Sequence, residues 1–266
     1  MRALQTVAAR EVISVARSRA TLVLVAGIAV VTLGVLLASG TQSYLPASVD
    51  LLLPMEFLVP AVAIAIGYRT VTADARRGEL DVLETYPVSP RAYIGGVYLG
   101  RALALVVIIG VPLVIAWAYL VTSSPDDLRT FATHTGVDSP LVFLRFIVLT
   151  LMFALSVLGM AIAVSAVAGS RRSALVFGVV LFALVVLALD LLIVRGFAGE
   201  VIPESQLRTV LAVSPTSAYR GLVFETVIAT ATESDLQQAS PVVSLVSLIG
   251  WTVGSLAVAI AAVKRR

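Results

Sequence analysis

Three ionisable side chains interrupt long apolar stretches of this 266-residue chain: Glu56, Arg145 and Asp190. A charge at membrane depth is costly, so such residues are candidates for function. Glu56 stands five residues inside its stretch, Arg145 four inside a later one, and Asp190 four short of the end of the next. At 1.5 Å per residue, each lies roughly 6–8 Å below the same outer boundary. This shared depth allows one cluster in which Arg145 is neutralised by Glu56, Asp190 or both, forming a candidate outer gate or substrate-exit contact. Alternatively, each snorkels separately to the headgroups.

Little else in the sequence could carry catalysis. His134 is the single histidine and stands among threonines and aspartates, where a solvated surface residue is expected. An all-histidine metal site therefore cannot form within one chain. Cysteine is absent, which removes thiolate ligands, disulfides and redox motifs. The only lysine, Lys264, sits in a terminal basic tag, and no Gly-x-x-x-x-Gly-Lys-Ser/Thr loop exists to cradle a nucleotide. Neither Gly-x-Ser-x-Gly nor His-Glu-x-x-His occurs, so intramembrane hydrolysis has no visible catalyst. No catalytic, cofactor or metal site is expected in this chain.

The elements that must position the three charges are membrane helices. Six apolar stretches cover roughly Thr21–Ser39, Leu51–Tyr68, Ala102–Val121, Leu141–Ala168, Ala174–Val194 and Pro241–Val263. Each approaches the ~20 residues that a helix needs to cross a ~30 Å hydrocarbon core. Apolar residues make up 59% of the chain and charged ones 13%, more apolar surface than a soluble fold could hide. The fold class expected is an all-α polytopic membrane protein with six transmembrane helices in one domain over residues 1–266.

Basic residues set the orientation, because short loops rich in Arg and Lys stay cytoplasmic. Arg2, Arg10, Arg17 and Arg19 precede the first stretch, and Arg69, Arg76, Arg77, Arg91 and Arg101 separate the second and third. Arg171 and Arg172 separate the fourth and fifth, and Lys264, Arg265 and Arg266 follow the sixth, so one side holds fourteen of the 19 basic residues. Both termini are thus expected in the cytoplasm of a cell-membrane protein, with the basic collar facing an anionic leaflet. Nucleic-acid binding is not expected, since no basic face exists outside that collar.

Residues 1–20 read as an interfacial helix. Leu4, Val7, Ala8, Val12 and Val15 fall on one side and Arg2, Thr6, Arg10, Ser14 and Arg17 on the other, with Glu11 and Ile13 as misfits. A cleaved leader is not expected, because the first apolar run is too long for one. Residues 69–101 form the only sizeable cytoplasmic connection. Outside lie a loop carrying Asp126, Asp127 and Asp138 and a longer, partly amphipathic segment, 195–240, expected on the outer surface. Small residues four apart (Gly96/Gly100, Gly159/Ala163, Gly250/Gly254) allow close helix packing, within the chain or at a dimer seam. Pro112 should kink the third span. There is no inverted repeat of the kind that many secondary transporters show.

The cytoplasmic connection is the most informative stretch. Asp74, Arg76, Arg77, Gly78 and Glu79 lead into Leu80 and Leu83, an apolar ridge stopped by Pro87-Val-Ser-Pro90 before Arg91. A short helix with both charge signs could contact another soluble protein; it could also be a solvated loop. In these residues the chain resembles the permease subunits of ABC-2-type transporters, whose first cytoplasmic loop has an acidic residue, a Gly-Thr-Leu-like turn, a leucine-rich helix and a Pro-Val-Ser-Arg-like end. Asp74, Gly78, Leu80, Leu83, Pro87, Val88, Ser89 and Arg91 occupy those places, with Glu79 in place of Thr and Pro90 inserted. Further on, Leu211-Ala-Val-Ser-Pro-Thr-Ser-Ala-Tyr-Arg220 is similar to an Asn-Pro-x-x-x-Phe/Tyr-Arg segment of the NosY-like branch, with Ser214 replacing Asn.

The resemblance implies an exporter permease that pairs with a second permease, as a homo- or heterodimer, within the lipid bilayer. Each copy would dock an ABC ATPase subunit, and ATP and Mg would bind to that partner. The helix around Gly78–Thr85 would couple ATPase closure to the permease, with Leu80 and Leu83 as docking contacts and Asp74, Arg76 and Arg77 at a salt-sensitive rim. The alternative is a non-transporting assembly or regulatory protein that docks a cytoplasmic partner through 69–101.

Overall fold

The computed structural model describes residues 2–16, 18–79, 88–123, 138–199, 203–228 and 240–265. These form α1 (Arg2–Ala16), α2 (Arg19–Ser39), α3 (Tyr44–Gly67), α4 (Thr70–Arg76), α5 (Pro90–Ser123) and α6 (Pro140–Val167). A long helix follows, built from α7 (Arg171–Ala183), a π-helical turn (Leu184–Ala188) and α8 (Leu189–Ala198). The last elements are α9 (Glu204–Leu211), α10 (Pro215–Val223) continued by a π turn (Phe224–Ile228), and α11 (Pro241–Lys264). No strand occurs among the described residues.

Six helices among the described residues are long and apolar enough to cross a membrane: Arg19–Ser39, Tyr44–Arg76, Pro90–Ser123, Pro140–Val167, Arg171–Ala198 and Pro241–Lys264. The chain is therefore an all-α polytopic membrane protein. α6 is the central post, buried all round from Ser156 to Ala163, and α3, α5 and α11 pack around it. By contrast α2 and α11 bury few residues and present Leu22, Val30, Val246 and Val253 outward, as lipid-facing helices should.

Helix ends follow local chemistry. Gly40 takes the left-handed conformation (φ 65°) that closes α2, and Gly78 (φ 73°) ends the turn after α4. Ser89 caps α5 by accepting from the Ala92 N–H (3.2 Å), with Pro90 in the first helical position, where its missing donor costs nothing. The Pro90 insertion thus has a local role. Ser43 makes no side-chain cap for α3; instead Asp138 reaches across and accepts from the N–H groups of Tyr44 (2.9 Å) and Leu45 (2.6 Å). Its charge also suits the positive end of that helix.

Two spans are longer than hydropathy predicts. α3 begins at Tyr44, seven residues before the expected boundary, and α5 begins at Pro90, twelve before it. At 34 residues α5 extends about 51 Å, well beyond the ~30 Å core, and it runs unbroken through Pro112. Its basic end is the surface on which α1 lies. A Cβ on Gly96 would sit 2.7 Å from Val7 Cβ, and one on Gly100 would sit 2.4 Å from Glu11 Cβ, so the Gly96/Gly100 pair accepts α1 of the same chain. The Gly159 position abuts the Thr252 backbone of α11, while Gly250 and Gly254 meet nothing within 4 Å.

The largest departure from expectation concerns residues 215–223. α10 does not lie over the outer surface: Pro215 to Tyr219 and Gly221 to Val223 are all buried, packed against α6 and α11. Its buried polar side chains have partners inside the bundle, Thr216 at the Val185 carbonyl and Ser217 at Asp190.

Candidate functional site

The basic end of the bundle holds a six-residue ionic cluster drawn from three separate elements. Arg10 of α1 bonds Glu79 (2.6 Å), Asp74 (2.9 Å) and Glu11 (3.0 Å). Arg77 bonds Asp74 (2.5 Å) and Glu79 (2.7 Å), and Arg101 of α5 bonds Glu11 (2.7 Å). Tyr93 of α5 donates its hydroxyl to Asp74 (2.8 Å). Three cations and three anions thus balance. Asp74 and Glu11 are 4% and 5% exposed, a depth at which an unpaired carboxylate would be prohibitive. Burial opposes the charge on Arg10, but the Asp74 and Glu79 carboxylates outweigh it and raise its pKa. Arg77 is raised in the same way, against the effect of burial, by Glu79 and Asp74.

The sequence-level assignments divide here. Asp74 is not on a rim; it is the buried centre of the cluster, because α1 folds over it and brings Arg10. Glu79, Arg77 and the Gly78 turn belong to the same cluster, whereas Arg76, Ser89 and Arg91 are exposed beside it. Leu80, Leu83 and Pro87 lie outside the described residues, as do Asp126, Asp127 and His134. Glu11, a misfit on the amphipathic wheel, is explained by Arg101. That mismatch was the available signal for a buried partner.

The second cluster lies deeper in the bundle. Glu56 sits twelve residues into α3, about 18 Å from its start. Its carboxylate takes a two-pronged contact from Arg220 of α10, Nε to Oε1 at 2.7 Å and Nη2 to Oε2 at 2.6 Å. Asp190 of α8 stands 3.7 Å from the same guanidinium, and its other oxygen accepts from Ser214 (2.6 Å) and Ser217 (2.8 Å). Glu56 and Asp190 therefore do share one cation, but it is Arg220 and not Arg145. Arg145 is exposed and donates to the Thr226 carbonyl (3.2 Å). The reason is topological: α10 enters the bundle and carries Arg220 with it, which a flat outer segment could not do.

Several contacts hold α10 at this depth. Tyr219 stacks on Phe153 (centroids 4.8 Å, 4° between planes), and its hydroxyl meets that of Thr150 (2.9 Å). The turn before α10 exposes the Val213 carbonyl, which accepts from Trp251 Nε1 (2.8 Å) and the Ser247 hydroxyl (3.1 Å). Non-helical backbone within a membrane protein needs such partners. A π turn leaves a carbonyl without its usual donor; Thr216 supplies one to Val185 in the π turn of the fifth span (2.8 Å).

No metal-binding group of three or more His, Cys, Asp or Glu occurs among the described residues. Both clusters join helices that are far apart in sequence. No match is found among curated proteins. A model of the family described as ABC-2 family transporter protein matches residues 5–266, taking in most of α1, both clusters and all six spans, and the chain accordingly belongs to the ABC-2 transporter family, whose members are membrane transport components that work with an ABC ATPase rather than catalysts themselves.

Proposed function

We propose that this chain is the permease subunit of an ABC exporter, pairing with a second permease and coupling its movement to a separate ATPase that binds ATP and Mg. The carrying observation is the charge-balanced joint of Arg10, Glu11, Asp74, Arg77, Glu79 and Arg101, in which Asp74 and Glu11 are buried. It ties α1, the end of α4 and α5 together where residues 80–87 leave and return. Force applied to that connection reaches three elements at once, which is what a coupling device requires. Leu80 and Leu83 are the docking contacts in this reading, and the exposed Arg76 and Arg91 form the salt-sensitive rim, with Ser89 capping the helix beside Arg91. Asp74 is a positioning residue.

At depth, the Glu56–Arg220–Asp190 joint acts as the gate latch. It holds α10 to spans two and five at the same time, so parting those spans must release Arg220 from one carboxylate. The basic end faces the cytoplasm, by the arginine bias. Placement in the NosY-like branch rests on the sequence resemblance of the Ser214–Arg220 segment. Export as the direction rests on the family resemblance.

Leu83→Asp tests the proposal. It should reduce the ABC ATPase that co-purifies with the chain by at least about tenfold, as expected for a charge buried in an apolar contact, while membrane insertion is unchanged. Undiminished complex formation would place the docking contact elsewhere. ATP turnover in the complex that no candidate cargo stimulates would favour a docking protein without transport.

A further inference from the structure

We infer that a cavity at the basic end holds the phosphate headgroup of an anionic membrane lipid, with an acyl chain along its floor. The cavity, about 1260 Å³, lies among the start of α2, the α3–α4 junction and α5. Six arginines line it, against three carboxylates. Arg10, Arg77 and Arg101 engage Glu11, Asp74 and Glu79 in the coupling joint. Arg69, Arg76 and Arg171 are left with no carboxylate partner among the described residues, and all three are exposed. The cavity thus carries three unbalanced positive charges. Guanidinium groups pair with phosphate oxygens through paired N–H donors, and an ester phosphate is the anion that a membrane supplies at this level.

The floor identifies the rest of the ligand. Val23 and Leu24 of α2, Ala65 and Ile66 of α3 and Ile108 of α5 also line the cavity, each set farther along its helix from the basic end than the arginines. Ile108 lies seven residues beyond Arg101, about 10 Å along α5. The lining therefore changes from charge to hydrocarbon along the direction of a lipid, headgroup first. A free phosphate would use the mouth and leave this apolar floor wet, which is unfavourable. α2 joins the bundle loosely, with few buried residues, so a chain can reach the floor from the bilayer beside it. This inference rests on the membrane placement and not on ATPase coupling, so detachment of the partner by Leu83→Asp has no bearing on it.

The full chain in phosphatidylcholine nanodiscs, titrated with phosphatidylglycerol and read by native mass spectrometry of retained lipid, tests the inference. The wild type should retain phosphatidylglycerol in preference to phosphatidylcholine by about tenfold or more. Arg69→Gln and Arg171→Gln, singly and together, should lower that preference severalfold with an unchanged melting temperature in phosphatidylcholine, because neither arginine has an ionic partner to lose. Arg172→Gln, a neighbour that does not line the cavity, should leave it intact. An equal loss in Arg172→Gln would mean diffuse surface attraction and overturn the site, as would no preference in the wild type. Displacement of the lipid by millimolar glycerol 3-phosphate would assign the site to a soluble phosphate and overturn the lipid.

Discussion

Arg220 illustrates how a single side chain can be misjudged from its neighbours. It stands in a region of mixed polarity, three residues beyond Ser-Pro-Thr-Ser, so nothing local marks it as the partner of intramembrane carboxylates. Glu56, however, required a cation, and the two-pronged geometry of Arg220 satisfies it. Removing one partner of such a pair costs more than removing both. Glu56→Gln should lower stability by about 2 kcal/mol, discounted because Arg220 keeps 40% of its side chain exposed. The double variant Glu56→Gln/Arg220→Gln should recover part of that loss in thermal unfolding; strict additivity would mean that the two residues do not interact. Arg145→Leu should cost less than Glu56→Gln, since Arg145 is exposed and makes one hydrogen bond to a carbonyl. A larger loss for Arg145→Leu would restore the cluster that sequence spacing implies.

At the scale of elements, the joints depend on close approach and on backbone satisfaction. α1 reaches α5 because two glycines one turn apart leave room for its backbone: a Cβ on Gly100 would also lie 2.8 Å from the Ala8 carbonyl oxygen. Gly100→Ala should therefore push α1 outward, costing about 1–3 kcal/mol as overpacking does, and should speed tryptic cleavage after Arg10. Unchanged cleavage would show that α1 is held by its ionic contacts alone. The fifth span poses the opposite problem, because its π turn needs a donor. Thr216→Val should lose about 1 kcal/mol, and Thr216→Ser should recover most of it, in a melting series. Equal melting for Val and Ser at that position would separate Thr216 from the π turn.

For the whole molecule, the decisive property is its sidedness. The ionic joint, the exposed Arg76 and Arg91 and the arginine-lined cavity all gather at one end of the bundle, while Asp138 caps α3 at the other. The chain contains no cysteine, so single introduced thiols report without background. In sealed, right-side-out vesicles, Ser89→Cys should resist an impermeant maleimide and Gln42→Cys should react. Labelling of Ser89→Cys from outside would reverse the orientation and remove the ATPase from its dock.

Hydropathy and arginine spacing determined much of this without coordinates. Six spans, the basic end and the N-terminal helix follow from composition read along the chain, because a bilayer imposes a one-dimensional rule on apolar length and on charge, while the family resemblance rests on the residues of 74–91 and 211–220. Glu56 and Asp190 were also legible as intramembrane charges, since such residues are rare and must find partners. Their shared cation was not legible, nor was the burial of Asp74. Both depend on chain segments far apart in sequence: α10 folding into the bundle to deliver Arg220, 164 residues from Glu56, and α1 lying across α5 to bring Arg10 over Asp74. A pairing at that separation leaves no periodic trace in the sequence, so only the packing of the helices could decide it.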